Sequence, residues 1–214
     1  MEQKKYTFDD LLGIMKKLRA PDGCPWDAVQ THESIKKHVV EEAYELVEAI
    51  DGGDPKKMAD ESGDLLLQAV FHAAIAEDAG EYTIDDVTDA ICRKMIHRHP
   101  HLFEGGSIID WDEIKRRDRE QKTVTQELLG ISAYLPALMR AEKISKKTEK
   151  QGFIPDTVSH LENEEFRLGA QLFSLVTQCR ENAIDPELAL NRYLRHYIDA
   201  FQKFEETKEN KNET

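Results

Sequence analysis

Cysteine is scarce in this chain, with three in 214 residues, and Cys24, Cys92 and Cys179 stand far apart and outside any C-x-x-C pair. So odd and scattered a set excludes a disulfide framework and a thiolate zinc site, and it points to a reducing cytoplasm. Positive charge is short as well. Against 42 Asp and Glu there are 29 Lys and Arg, a formal charge of −13, which argues against a protein that coats a nucleic acid polymer. An anionic substrate would have to be met by locally gathered cations or by a metal. Long apolar runs are missing too. Nothing approaches the roughly 18 residues of a membrane span, and the N-terminal MEQKKYTFDD lacks the apolar stretch of a signal peptide. A soluble, unprocessed chain with no membrane partner is expected. No histidine follows a glutamate at a spacing of three, so the E-x-x-H pairs of a di-iron carboxylate bundle are absent.

What the sequence has instead is paired carboxylates. Glu41, Glu42 and Glu45 read E-E-x-x-E in one helical stretch, Val39 to Ile50, and Glu61 and Asp64 read E-x-x-D in the next, which runs on to Ala76. Residues three or four apart on a helix are neighbours, so each set gathers on one side. At about 100° per residue, Val39, Ala43, Leu46, Val47 and Ile50 share one face of the first helix, Glu41, Glu45 and Glu48 lie opposite, and Glu42 sits on the border. In the second, LLLQAVFHAAIA from Leu65 to Ala76 is apolar on nearly every side, the pattern of a helix buried all round. One stripe about 80° wide is polar, holding Glu61, Asp64, Gln68 and His72. Between the helices, Asp51-Gly52-Gly53-Asp54-Pro55 reads as a stop, an N-cap and a proline at the first helical position. So short a turn makes the two helices antiparallel.

Two readings of these acids follow. In a chain that is 33% charged, E-E-x-x-E can be a solvated face, and Glu61 and Asp64 can be early-turn acids favoured by the helix dipole. Against this, a carboxylate on a helix without a solvent face costs several kcal/mol unless it is paired or bound to metal. No Lys or Arg lies between Asp64 and Ile91 to pair with it locally. A hard divalent cation held by carboxylate oxygens is the economical partner that remains. Spacing alone leaves both readings standing.

Along the rest of the chain, Thr7 with Asp10 forms a capping box for a helix that ends near Arg19. The prolines and glycine of Ala20 to Gln30 predict a loop, in which Trp26 reads first as the anchor of a satellite core. Thr83 and Asp86 cap a helix that finishes in Arg93, Lys94, His97, Arg98, His99 and His101, cations that suit a helix C-terminus. Alternating histidines hint at zinc, but Pro100 and the lack of nearby cysteines argue against it. A charged helix is expected over 110–122, an exposed connector over 124–134, and a basic helix from Pro136 to Gly152. Two further helices follow over 166–179 and 186–204.

E-E-x-x-E, a short turn and E-x-x-D running into Gly63-Asp64-Leu65-Leu66 carry a resemblance. Together with Gly23-Cys24-Pro25-Trp26-Asp27, Gln30-Thr31-His32, Arg98-His99-Pro100-His101 and Pro136-Ala137-Leu138-Met139-Arg140-Ala141, they resemble the MazG-type nucleoside triphosphate pyrophosphohydrolases over about residues 7 to 153. The resemblance implies an all-α helical bundle of the all-α NTP pyrophosphatase type, and a homodimer. It implies hydrolysis of a nucleoside triphosphate to monophosphate and pyrophosphate with Mg2+, or Mn2+ in its place. It assigns Glu42, Glu45, Glu61 and Asp64 as metal ligands, with Glu41 or a metal-free oxygen of Glu42 or Glu45 orienting the attacking water. Arg98 and Lys115, the latter in a W-x-x-I-K stretch from Trp111, would neutralise the phosphates, and Trp26 would stack on the base. Because His97 stands where the family commonly has the first of two arginines, that role is carried to Arg98 alone.

Lining Gly63–Leu67 up with Gly169–Phe173 puts Arg167 at the Glu61 position and Ala170 at the Asp64 position, as in a second copy that has lost its ligands. The expected layout is a catalytic helical domain over 1–123, a connector and basic helix over 124–153, a degenerate second repeat over 154–205 and a disordered tail over 206–214. A catalytically silent nucleotide-binding or scaffold protein of the same fold is the alternative.

Overall fold

The computed structural model describes residues 5–103, 105, 123–153 and 163–212, and every regular element among them is a helix. The chain divides into two compact units, Met1–Lys115 and Arg116–Thr214.

In the first unit α1 spans Phe8–Arg19, closed at its start by the Thr7/Asp10 capping box, and α2 is a single turn, Pro25–Ala28, inside the predicted loop. Proline at the first helical position nucleates that turn. Helix α3 spans His32–Gly52 behind a Thr31/Ser34 capping box and ends at Gly53, whose φ of 68° is the left-handed conformation that favours glycine. Asp54 then caps α4, Pro55–Ala79, and Gly80 stops it in the same way at φ 70°. Helices α5, Ile84–Arg98, and α6, Pro100–Phe103, follow.

The turn through Gly53 and Asp54 folds α3 and α4 into an antiparallel hairpin with the most extensive helix contact in the unit. On α3 the buried and half-buried residues Ile35, Val39, Glu42, Leu46 and Ala49 follow a four-three spacing. On α4 the matching seam is Met58, Glu61, Leu65, Gln68, His72 and Ile75. This is the spacing by which two nearly antiparallel helices interdigitate. The seam corrects the helical-wheel phase: Glu42 lies within it, Ala49 is buried, and Ile50 is 55% exposed. It also corrects the expectation of an α4 buried all round, since Leu66 is 44% exposed. Among the described residues α1, α3 and α5 pack on α4, and Leu66 and Ala69 are exposed. Below the acids the core gathers Met15, Ile35, Val70, Phe71 and Ile75, with Leu11, Leu12, Leu67, Ala74 and Ile84 against it.

The second unit contains α7, Val124–Leu129, α8, Ala137–Glu149, α9, Glu164–Glu181, and α10, Pro186–Asn212. Helix α7 stands where a connector was predicted, because Thr123 and Gln126 form a capping box that starts one. α8 packs on α7, α9 and α10, joined to α9 by Ser145 Oγ and Thr177 Oγ1 at 3.1 Å and by Arg180 to Glu149 at 2.6 Å. α10 runs past the predicted end at 204. Its last turns are held by local contacts: Gln202 donates to Glu206 at 3.1 Å, Thr207 donates to the Lys203 carbonyl at 2.7 Å, and Lys208 sits over the Phe204 ring.

Candidate active site

The α3/α4 hairpin delivers the carboxylates in register. His32 faces His72, Glu45 faces Glu61 and Glu48 faces Lys57, so each step up one helix is matched by a step down the other. Oxygens of Glu42, Glu45 and Glu61 come within 4.8 Å of one another, the one group of three metal-competent side chains among the described residues. Glu61 is buried at 9% exposure. Burial raises its carboxyl above the ordinary range, helped by the charge of Glu45 and by a hydrogen bond with it; Lys57 offsets this only in part. Burial likewise raises Glu42, with Asp64 and Glu45 adding to it. Three oxygens crowded together, one of them on a buried side chain, fit a hard divalent cation.

Two of the predicted acids stand apart from this group. Asp64 is exposed, since it lies about 60° around the helix from Glu61 and off the seam; its charge still bears on both Glu42 and Glu61. Glu41 faces outward, where its Oε2 meets His38 Nδ1 at 2.7 Å.

A second polar cluster lies farther along the hairpin. The rings of His32 and His72 stack 5.0 Å apart, with their Nδ1 atoms 2.7 Å from one another, and Tyr82 stacks on His32 at 6.4 Å. Such a bond needs one ring to donate and the other to accept. Burial, then the neighbouring His32, lowers His72 below the usual histidine range. Gln68, 8% exposed, lies on the seam between this pair and the carboxylates.

The family model for the MazG nucleotide pyrophosphohydrolase domain matches residues 30–103, from the start of α3 to the end of α6. The chain is also 38% identical to the nucleoside triphosphate pyrophosphohydrolase/pyrophosphatase MazG of Thermotoga maritima, over 96% of this chain and 88% of that protein. The chain belongs to the MazG family. Another relative is the nucleoside triphosphate pyrophosphohydrolase of Escherichia coli K12, 42% identical over 68% of this chain and 59% of that protein. The uncharacterized protein YabN of Bacillus subtilis is 38% identical over 94% of this chain, which spans only 47% of it. The chain thus covers most of the Thermotoga MazG and about half of the other two.

The match to the MazG domain takes in all five acids and Arg98 and leaves out Trp26 and Lys115. Trp26 is 56% exposed, with its ring edge-on to Phe71 at 6.3 Å. The ring thus has one neighbour in Phe71 and is otherwise largely exposed. Arg19 holds this loop. It donates to the Asp27 carbonyl at 2.7 Å, pairs with Asp78 at the end of α4 at 2.7 Å, and lies over the Phe71 ring. At Gly23 the chain passes so close to α1 that a Cβ would stand 2.3 Å from the Lys17 carbonyl oxygen. Arg19 and the His32–His72 pair were not singled out from sequence, because both join residues far apart in the chain.

Arg98 is half-buried in the last turn of α5, with His97 exposed beside it. Lys115 and Trp111 lie outside the described residues. In the second unit, Arg167 and Ala170 lie on α9, and Arg167 is paired with Glu164 at 2.9 Å.

Proposed function

We propose that this MazG-family chain hydrolyses a nucleoside triphosphate, adding water and breaking the α–β anhydride bond to release a nucleoside monophosphate and pyrophosphate. The observation that carries the reading is the convergence of Glu42, Glu45 and Glu61 from one hairpin into a group that fits a divalent cation. The relatives' names supply the reaction. Glu42, Glu45, Glu61 and the flanking Asp64 would hold Mg2+, or Mn2+ in its place, which when bound neutralises phosphate charge. Glu41, steadied by His38, or a free oxygen of Glu42 or Glu45 orients the attacking water and takes its proton. Arg98 and Lys115 offset the negative phosphates, and the open part of the Trp26 ring stacks on the base. Purified protein incubated with Mg2+ and a panel of common and damaged triphosphates is expected to release pyrophosphate, read by a coupled pyrophosphate assay. Orthophosphate alone, or no turnover on any member, would reject the reading.

The loss of acids from the second unit favours a second reading, a silent nucleotide-binding or scaffold protein, which Mg2+-dependent nucleotide binding without turnover would support. In the catalytic reading, residues 1–123 carry the chemistry, 124–153 connect, 154–205 form a repeat without ligands, and 206–214 are a polar tail. The three free thiols suit the cytoplasm.

We further infer a homodimer. Leu190, Leu194, Tyr197, Phe201 and Phe204 on α10 follow a four-three spacing and are each about half exposed. This is the seam by which one helix meets another. Sedimentation equilibrium at micromolar concentration is expected to show two chains, and Tyr197→Glu with Phe201→Glu to return one. A wild-type monomer would reject the assignment.

A further inference from the structure

The amide oxygen of Gln68 is buried and has no hydrogen-bond partner among the described residues. Two polar side chains near it along the hairpin are engaged elsewhere. His72, one turn on, meets His32 through Nδ1. His38, level with Gln68 on α3, meets Glu41 through Nδ1. A buried acceptor without a donor destabilises the free protein, and a ligand that brings a donor relieves it.

The place of this oxygen says which part of a ligand it would meet. Gln68 lies within about 20° of Glu61 on the helical wheel and about 10 Å along the axis, seven residues at a rise of about 1.5 Å. A nucleotide with its phosphates at the carboxylates extends its sugar and then its base over such a span. Resting on the nucleotide reading above, we infer that Gln68 is a specificity-determining residue. Its amide oxygen accepts a hydrogen bond from the nucleoside, either from a sugar hydroxyl or from an N–H of the base.

Gln68→Met keeps the side-chain length and removes the amide. For the triphosphate that the wild type prefers, kcat/KM is expected to fall about tenfold, the worth of one buried hydrogen bond. The loss should vanish for the one analogue that lacks the donor. Ribose, 2′-deoxy and 3′-deoxy triphosphates test the hydroxyls. Bases with and without their amino group test the N–H. Gln68→Asn, which withdraws the amide by one methylene, should show the same pattern. Without nucleotide, Gln68→Met should melt no lower than wild type, because it removes an unsatisfied group. An equal loss on every analogue with a lowered melting temperature would mark a packing role and overturn the inference, as would no loss at all. A wild type that neither hydrolyses nor binds any member of the panel would overturn the nucleotide reading itself, whereas an active wild type with an unaffected Gln68→Met would overturn this inference alone.

Discussion

Glu61→Gln is expected to reduce pyrophosphate release by about 10²-fold or more while making the metal-free protein harder to unfold. The two effects have one cause. Glu61 is buried among like charges, so its ionised form is disfavoured, and an amide of the same shape removes both the charge and its repulsion of Glu45. The same change deletes an oxygen ligand from the group of three, and losing a mere outer-shell partner of a ligand already lowers metal affinity or activity about 10- to 100-fold. Thermal melting in a chelator, compared with steady-state turnover in Mg2+, reads both. Glu48→Gln is the control, since that exposed acid one turn away pairs with Lys57 at 3.9 Å and belongs to no cluster. Full turnover in Glu61→Gln would remove the hairpin acids from the mechanism, and a lowered melting temperature would contradict the charge crowding.

Chelation should abolish activity, and the stabilisation that Mg2+ restores should grow with pH. Glu42 and Glu61 both have carboxyls raised above the ordinary glutamate value of 4.5 by burial and by neighbouring carboxylates. A raised folded-state value means that the native protein holds these protons more tightly than the unfolded chain. Their contribution to stability is therefore fully present below 4.5 and is lost as pH rises through the raised values. Above that window the crowded carboxylates repel one another, and a divalent cation held among them would relieve the repulsion. The Mg2+-induced rise in melting temperature should be larger at pH 8 than at pH 5, with protons released on binding in the acidic window. A rise that is flat across pH, or activity that persists in excess chelator, would place the cation elsewhere or nowhere.

Much of this site could be read from residue order because its determinants are local. The capping boxes at Thr7, Thr31 and Thr83, the stops at Gly53 and Gly80, and the proline after Asp54 each act within one helical turn, so they fix where α3 and α4 begin and end. With those ends fixed, the carboxylates could only meet across the hairpin. Rotation was harder to read. A helical wheel gives angles but not which side a neighbour covers, so Ile50 was placed inside, Glu42 on the border, and Asp64 on a face without solvent. The four-three seam decides all three, and it depends on the partner helix.

Long-range pairs had no local signal at all. Arg19 reaches Asp78 across 59 positions, and His32 reaches His72 across 40. Gln68 was visible in the polar stripe, yet its isolation follows only from the engagement of everything around it. The Thr123/Gln126 signal for α7 was in plain view and was outweighed by the exposed composition around it.

The two-residue link at Gly53–Asp54 also bears on how the molecule is born. All the proposed ligands come from segments adjacent in the chain, so little loop entropy opposes their meeting, and the hairpin can form on the ribosome before the second unit has emerged. Mutual repulsion among the acids opposes that step, and a divalent cation held by them would relieve it. The same ion that would serve turnover would thus also speed the closing of the hairpin.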